Sequence, residues 1–238
     1  MISNRALSLA LPCVLMAGVA LLVYYGIYLA WTDADYYHTV YAREDGLIEW
    51  LTFAAFAAGA AVVFGRLAAV RLRKGAWFAV CTLVLLGCFV LAAGEEISWG
   101  QRVFGIASPA FFRKHNLQGE LNVHNLTVGG VNVNKTLVSL PLLIALPVYM
   151  FLLPVLNARV GWCQSLLTRC AVPLPRLSIQ IWLLHCLSLI FAFAVPRIWE
   201  LNELVLGAAA LLIVWSPLNA DIYELPKENA VLDFGARE

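Results

Sequence analysis

Long apolar stretches separated by short polar segments fill the chain from its first residues to about residue 220. A helix needs about 20 mostly apolar residues to cross a hydrocarbon layer about 30 Å thick, because each residue adds about 1.5 Å. Six stretches are long enough: residues 6–31, 46–69, 76–98, 136–157, 177–197 and 204–220. The pattern predicts an all-α fold, a single polytopic transmembrane bundle of about six spans, with a polar tail at 221–238.

The first and fourth stretches carry additional signals. Residues 6–31 form a longer apolar run than the roughly 7–15 residues of a signal-peptide core, so we expect a retained span. Pro141, Pro147 and Pro154 interrupt the fourth stretch. Each internal proline removes one backbone donor, which predicts kinks in that span.

The longest polar segment lies between the third and fourth spans. Ser108 and Pro109 form an N-cap and first-position pair, which predicts a short helix through Phe111, Phe112 and His115. Adjacent phenylalanines followed by basic residues are typical of a helix that lies in the membrane interface. We therefore expect a long loop with a short interfacial helix.

The composition supports a membrane protein. Hydrophobic residues make up 62% of the chain, charged residues 13%, and the mean hydropathy is +0.80. The net charge is only +1 and there is no basic tract, which argues against nucleic acid as a partner. Most of the six cysteines lie in apolar runs, so no disulfide framework is expected.

Basic residues predict which side of the membrane each loop occupies. The links at 66–74 and 159–176 are rich in Arg and Lys, and such short links stay in the cytoplasm. This orientation places the N-terminus and the C-terminal tail in the cytoplasm. It also places ten of the fifteen acidic residues on the opposite side: Asp33, Asp35, Glu44, Asp45, Glu49, Glu95, Glu96, Glu120, Glu200 and Glu203.

The third span ends in two adjacent glutamates, Glu95 and Glu96. An ionisable group at membrane depth costs roughly 2.5–3.5 kcal/mol on insertion scales and commonly marks a functional site. If the helix continues through Arg102, then Glu95 and Arg102 share one face and Glu96 points elsewhere. Two interpretations stay open: a functional acid pair, or a helix end at the water boundary with Glu95 paired to Arg102.

The following loop adds further polar candidates. His115, Glu120, His124 and Asn125 lie within a few residues of one another, and histidine with carboxylate is a ligand set for zinc, non-haem iron or manganese. The candidate metal ligands are Glu96, His115, Glu120 and His124. The candidate catalytic residues are Glu95, Glu96, Arg102, His124 and Asn125. No HExxH motif is present, and loop histidines are often merely solvated, so the cofactor stays open between a divalent metal and none.

Three segments of the first half resemble a family of uncharacterised bacterial multi-pass membrane proteins. They read REDGLIEWLT at 43–52, GEEISWGQRVFG at 94–105 and NLQGELNVHNL at 116–126. The resemblance implies a bacterial inner membrane and gives no reaction. The positions to which it points are Glu44, Asp45, Glu49, Glu95, Glu96, Trp99, Gln101, Arg102, Glu120, His124 and Asn125.

Two classes of function fit these observations. In the first, Glu95 or Glu96 with His124 activates water or a hydroxyl to modify a lipid or lipid-linked substrate at the outer leaflet. In the second, the protein is a binding or assembly subunit, or a small transporter, whose acidic cluster binds a cation or a basic partner. The sequence decides neither the substrate nor the oligomeric state.

Overall fold

The structure, a computed structural model, describes residues 4–70, 74–123, 125–133, 136, 140–193 and 197–224. It is all-α and about 78% helical. Among these residues, four helices are long and apolar enough to cross a membrane: Ala10–Thr32, Leu47–Ala69, Ala76–Glu96 and Leu140–Arg159. The all-α prediction is confirmed, and the chain has the helices of a membrane protein.

The helices and strands follow one another in this order along the chain. They are α1 (Asn4–Thr32), α2 (Ala34–Tyr36), α3 (Leu47–Val70), α4 (Ala76–Glu96), α5 (Gln101–Phe104), α6 (Ala110–His115), β1 (Thr127–Val128), β2 (Val131–Asn132), α7 (Leu140–Pro147), α8 (Leu153–Arg159), α9 (Gly161–Arg169), α10 (Leu177–Ala192) and α11 (Ile198–Trp215). Antiparallel β1 and β2 pair Val128 with Val131 across a turn at Gly129 and Gly130.

The last helix differs from its prediction. We expected a span at 204–220, whereas α11 runs from Ile198 to Trp215. Glu200 and Glu203 therefore lie in its first two turns and not in a loop. Acidic side chains are favourable near a helix N-terminus, where the backbone dipole is positive, but their charge interrupts the apolar run from which the span was predicted.

The fourth predicted span contains an irregular turn. Between α7 and α8, residues Val148–Leu152 form a π-helix, which begins directly after Pro147. A proline removes a backbone donor, and a wider helical turn is one way in which a helix accommodates that loss. Pro154 lies at the first turn of α8, where a missing donor is tolerated.

The centre of the bundle is α3, which packs between α4 and α11. Gly59 on α3 faces the Phe89 ring on α4, and a Cβ at Gly59 would lie 2.2 Å from that ring. Small residues at such crossings let two membrane helices approach closely. On the other side, α1, α10 and α11 enclose a core that includes Val23, Ile190 and Leu201.

The region predicted as a polar tail begins with a packed segment. Ala220–Tyr223 forms a 3-10 helix, and the Tyr223 hydroxyl donates to the Ala171 carbonyl at 2.8 Å. The guanidinium of Arg66 lies 4.0 Å from the centre of the Tyr223 ring. The rest of the predicted tail, 225–238, lies outside the described residues.

Candidate functional site

The chain turns sharply where α4 ends. Ser98, Trp99 and Gly100 all have left-handed backbone conformations, with φ values of 47°, 56° and 73°. Non-glycine residues adopt this region at a cost of roughly 1–2 kcal/mol each, so neighbouring contacts must hold the turn. The condition under which Glu95 and Arg102 would share one helix face, a helix that continues through Arg102, is therefore not met. Nothing in the side-chain pattern distinguishes a left-handed Ser-Trp pair from another helical turn.

Glu95 holds this turn against the loop that follows. The Trp99 indole folds back over Gly94, and a Cβ at Gly94 would lie 2.9 Å from the ring. The indole Nε1 of Trp99 donates to Glu95 Oε1 at 2.9 Å. The other carboxylate oxygen accepts from the Val123 backbone nitrogen at 2.5 Å. Glu95 thus joins the end of α4 to the cap segment, by which we mean residues 98–126.

Arg102 is the centre of an ion-pair cluster. Its guanidinium contacts Asp45, lies 3.0 Å from Glu120 Oε2, and lies 3.7 Å from Glu49 Oε1. Arg102 therefore does not make the pairing with Glu95 that one of the two interpretations proposed. Its partners are carboxylates from the α2–α3 connection, the start of α3 and the cap segment. The cluster ties the cap segment to the bundle.

Glu120, which contacts Arg102, also belongs to a network of side-chain hydrogen bonds. Ser98 donates to Glu120 Oε2 at 2.7 Å, and Asn122 Nδ2 donates to Ser98 Oγ at 2.9 Å. Ser98 and Asn122 are almost completely buried, so these bonds form away from water. Buried polar groups need such partners, which explains why amides crowd this stretch of sequence.

The cap segment has a buried amide at its own centre. Asn116 Nδ2 donates to Asn122 Oδ1 at 2.7 Å, and Asn116 Oδ1 accepts from the backbone nitrogens of Gln118 and Glu120. Gln101 adds a second tie, because its amide donates to Ser108 Oγ and accepts from the Leu121 backbone nitrogen, both at 2.6 Å. Ser108 is therefore a partner of Gln101, and Pro109 is the residue at the N-cap of α6.

A second set of carboxylates lies at the ends of three helices. Glu96 ends α4, and the charges that act on it most strongly are those of Glu203, Glu49, Glu200 and Glu95. We call Glu49, Glu96, Glu200 and Glu203 the inner carboxylates, and the end of the bundle that carries them the acidic end. The sequence predicted a convergence of acids from separate helix ends, and the structure brings these four close enough to interact electrostatically.

Arg197 is the second arginine of the acidic end. It precedes α11 in a left-handed conformation, with φ 48°, and its guanidinium lies 3.2 Å from Glu44 and 3.3 Å from Glu200. Glu44 also accepts from Gln118 Nε2 at 2.8 Å, which links Arg197 to the cap segment. Within the described residues, the acidic side chains of this end outnumber the two arginines that contact them.

Tyr37 places a buried hydroxyl near Glu200, one of the inner carboxylates. The residue is fully buried, and its hydroxyl has no hydrogen-bond partner within the described part of the chain. Burial raises the pKa of Tyr37 to about 12, with a further increase from the charge of Glu200 and an opposing effect from Arg197. The hydroxyl therefore keeps its proton at neutral pH and is available as a donor.

The predicted metal ligands that the structure describes do not form a metal-binding group. Among the described residues, no three His, Cys, Asp or Glu side chains form a group that fits a metal ion. His115 lies on α6 with its ring 4.9 Å from that of Phe111, and Glu120 binds Arg102. His124 lies outside the described residues, so the metal set stays a prediction. Asn125, one of the candidate catalytic residues, donates to Gln118 Oε1 at 2.5 Å.

Three residues of this end were missed by sequence reasoning: Tyr37, Arg197 and Asn202. Arg197 carried a signal, because it is the one basic residue of the short outer corner that also holds Glu200 and Glu203. Tyr37 and Asn202 gave no signal in the sequence. Tyr37 is one of several nearby tyrosines, and a single asparagine within a helix does not indicate a functional site. Their unpartnered polar atoms are visible only in three dimensions.

Comparison with known proteins gives no match. No protein-family model fits the sequence, and neither the curated proteins nor the solved structures include one with significant similarity. The functional argument therefore rests on the geometry of the acidic end.

Proposed function

We propose that this chain is a multi-pass membrane protein that performs acid–base chemistry on a lipid or lipid-linked substrate. The observation that carries the proposal is the convergence of the inner carboxylates at the ends of α3, α4 and α11. Charged groups at membrane depth are costly, and they persist where they face an interior or a wet cavity that serves a function.

Glu96 is the proposed general base. It is half-buried, and its strongest charged neighbours are all carboxylates, whereas Glu120 and Glu200 each contact an arginine. In its ionised form, this carboxylate can take a proton from a hydroxyl or from water within hydrogen-bonding reach. The oxygen then attacks an electrophilic carbon or phosphorus of the substrate, the bond to the leaving group breaks, and the carboxyl group returns the proton to that leaving group. Tyr37 supplies the complementary donor, because its protonated hydroxyl can stabilise negative charge that develops on a substrate oxygen.

The cap segment is proposed to shape and cover this site. Arg102 and Glu95 fasten it to the bundle, so its backbone is held close to the ends of α3 and α4. Gln101 ties two parts of the segment to each other. Fixed polar groups around a reacting centre stabilise charge without having to reorganise. His124 and Asn125, which lie on this segment, are the proposed additional catalytic groups.

The proposed setting is the inner membrane of a bacterium. We extend the four long helices to six spans by adding α10 and α11, which are apolar but shorter or carry acidic residues in their first turns. The proposed orientation has the N-terminus and the C-terminus in the cytoplasm, as the basic links predict, and the acidic end then faces the outer leaflet.

The experiment that tests this function compares lipids from cells expressing the wild-type protein and Glu96→Gln. Glutamine keeps the size and hydrogen bonding of glutamate but cannot accept a proton as a base. We expect at least one lipid or lipid-linked species to change with the wild-type protein and to stay unchanged with Glu96→Gln. The matched control is Asp35→Asn, an exposed acid outside the inner carboxylates, which should behave as wild type.

An identical lipid profile for wild type and Glu96→Gln, with equal protein levels, would overturn the enzyme proposal. The second candidate function would then gain: a binding or assembly subunit, or a small transporter, that uses the acidic end to hold a cation. The excess of carboxylates over Arg102 and Arg197 favours that alternative. It predicts calorimetrically measurable cation binding that weakens in Glu96→Gln.

Metal dependence needs a separate measurement. Elemental analysis of the detergent-purified wild-type protein, Glu96→Gln and His124→Ala would decide it. A stoichiometric metal that is lost in both variants would identify a site shared by glutamate and histidine. A folded wild-type protein without metal would leave the acid–base site to act alone.

A further inference from the structure

A long apolar groove runs along the bundle beneath the acidic end. Its volume is about 650 Å³, and its walls are α4, α7 with the following π-helix, α11 and the link at 170–173. Val84, Leu142, Leu146, Leu206 and Ala210 are among the residues that line it. Two of these walls, α4 and the helix that contains α7, are candidate membrane spans, so the groove lies at the depth of the hydrocarbon.

The groove leads toward the inner carboxylates. Phe89 lines it on α4, and Glu96 lies seven residues further on the same helix face. Leu206 lines it on α11, with Glu203 and Asn202 three and four residues earlier, again on one face. Asn202 Oδ1 is buried and has no partner in the described part of the chain. On both helices, the apolar residues that line the groove are therefore followed, on the same face, by polar residues.

We propose that the groove holds one acyl chain of a membrane lipid whose polar head lies among Glu96, Glu203 and Asn202. The identity of that head site rests on the proposed function, whereas the occupancy of the groove does not. The head should carry N–H or O–H donors, because Asn202 Oδ1 and the carboxylate oxygens that it would meet are acceptors. An amine-headed phospholipid has this chemistry.

The length of the groove suits an acyl chain of a lipid whose head lies at Glu96. From Trp77 to Phe89 the wall on α4 rises about 18 Å, and Glu96 lies about 10 Å beyond Phe89 on the same helix. The head and the glycerol can therefore lie beside residues 90–96 while the chain follows the apolar wall. The fourth span also packs loosely, with only 6% of its apolar window buried, so lipid can reach the groove beside it.

Photolabelling tests the proposal. The full-length protein is placed in vesicles of phosphatidylethanolamine and phosphatidylglycerol that contain phosphatidylethanolamine with a diazirine near the end of one acyl chain. We expect crosslinks concentrated at groove residues such as Val84 and Ala210. Val84→Trp should reduce these crosslinks about tenfold, since losing about two buried CH₂ groups lowers chain binding by that factor.

Leu83→Trp is the matched control. Leu83 neighbours Val84 on α4 and is similarly exposed, 56% against 62%, but it does not line the groove. Ala145→Phe, on the opposite wall, should act like Val84→Trp and guards against a defect peculiar to one variant. Crosslinks spread evenly over the lipid-facing surface, or reduced equally by Leu83→Trp, would overturn the inference.

The outcome separates this inference from the proposed function. If Val84→Trp removes the groove crosslinks while Glu96→Gln leaves the cellular lipids unchanged from wild type, the groove holds an acyl chain and the enzyme proposal fails. If Glu96→Gln abolishes the lipid change but groove labelling does not depend on Val84, the enzyme stands and the groove inference fails.

Discussion

The guanidinium of Arg102 lies 3.0 Å from the carboxylate of Glu120, and this contact joins the turn after α4 to the far side of the cap segment. Both side chains are largely covered, with exposed fractions of 30% for Arg102 and 14% for Glu120. Asp45, in the α2–α3 connection, and Glu49, at the start of α3, approach the same guanidinium. A single arginine therefore holds together three segments that are distant in sequence.

Replacing Arg102 with Met should loosen the cap segment and destabilise the protein. The variant leaves Asp45, Glu49 and Glu120 without their shared cation, at a cost of about 1.5–2 kcal/mol, the low end for charged hydrogen bonds because the arginine is partly exposed. The melting temperature should fall by about 3–8 °C. Amide hydrogen exchange at 116–123 should accelerate. Lys114→Met, an exposed neighbour in the same segment, should change stability by less than about 0.5 kcal/mol.

Asn116 offers a test of the cap segment's own structure. Asn116→Ala removes the acceptor for the backbone nitrogens of Gln118 and Glu120 and the donor to Asn122, all in a buried setting. We expect a loss of about 2–3 kcal/mol in the free energy of unfolding, because buried donors are left without partners. Leu117→Ala is the control, since Leu117 is 70% exposed and should tolerate truncation. Equal melting temperatures for the two variants would contradict this account.

The sequence predicted the elements whose signal is local. Apolar runs of sufficient length indicated the four long helices, and their all-α character is confirmed. A short helix after Ser108 is also present, as Ala110–His115, although Pro109 and not Ser108 occupies its N-cap. Each of these features depends on residues within a few positions of one another, which is the range that composition and capping patterns report.

The partners within the site depend on contacts between distant parts of the chain. Arg102 pairs with Asp45, 57 positions earlier, and Arg197 pairs with Glu44, 153 positions earlier. No periodicity indicates such pairs. The left-handed conformations of Ser98 and Trp99 also escaped prediction, because only glycine adopts them readily and neither residue signals a turn. The distribution of acidic residues along the sequence indicated which loops form the acidic end. The contacts that Arg102 and Arg197 make there could be identified only from the three-dimensional structure.

Gly100 is where the turn after α4 requires glycine. Its φ is +73°, and a Cβ there would lie 2.8 Å from the Phe104 ring. Gly100→Ala should therefore cost about 1–2 kcal/mol for the left-handed conformation alone. Gly87→Ala is the control, because Gly87 is helical with nothing within 4 Å of a Cβ, and it should be neutral or slightly stabilising. Thermal unfolding in detergent checks both, and an unaffected Gly100→Ala variant would show that the turn relaxes without cost.

Tyr37 and Tyr41 provide the sharpest test of whether the acidic end binds something. Both rings are buried, but the Tyr41 hydroxyl donates to the Leu22 carbonyl at 2.6 Å, whereas the Tyr37 hydroxyl has no partner among the described residues. Tyr41→Phe should therefore destabilise the protein by about 1 kcal/mol, the usual net value of a hydrogen bond. Tyr37→Phe should leave stability unchanged or raise it, since it removes an unsatisfied polar group.

Function should respond in the opposite order. If the Tyr37 hydroxyl serves as a donor to substrate, then Tyr37→Phe should reduce the lipid change produced by the wild-type protein, while Tyr41→Phe keeps it at matched protein levels. The paired measurements are melting temperature and cellular lipid profile. A Tyr37→Phe protein that is destabilised as much as Tyr41→Phe would indicate a structural partner for the hydroxyl. One that is stable and fully active would remove Tyr37 from the site and leave the inner carboxylates to act without it.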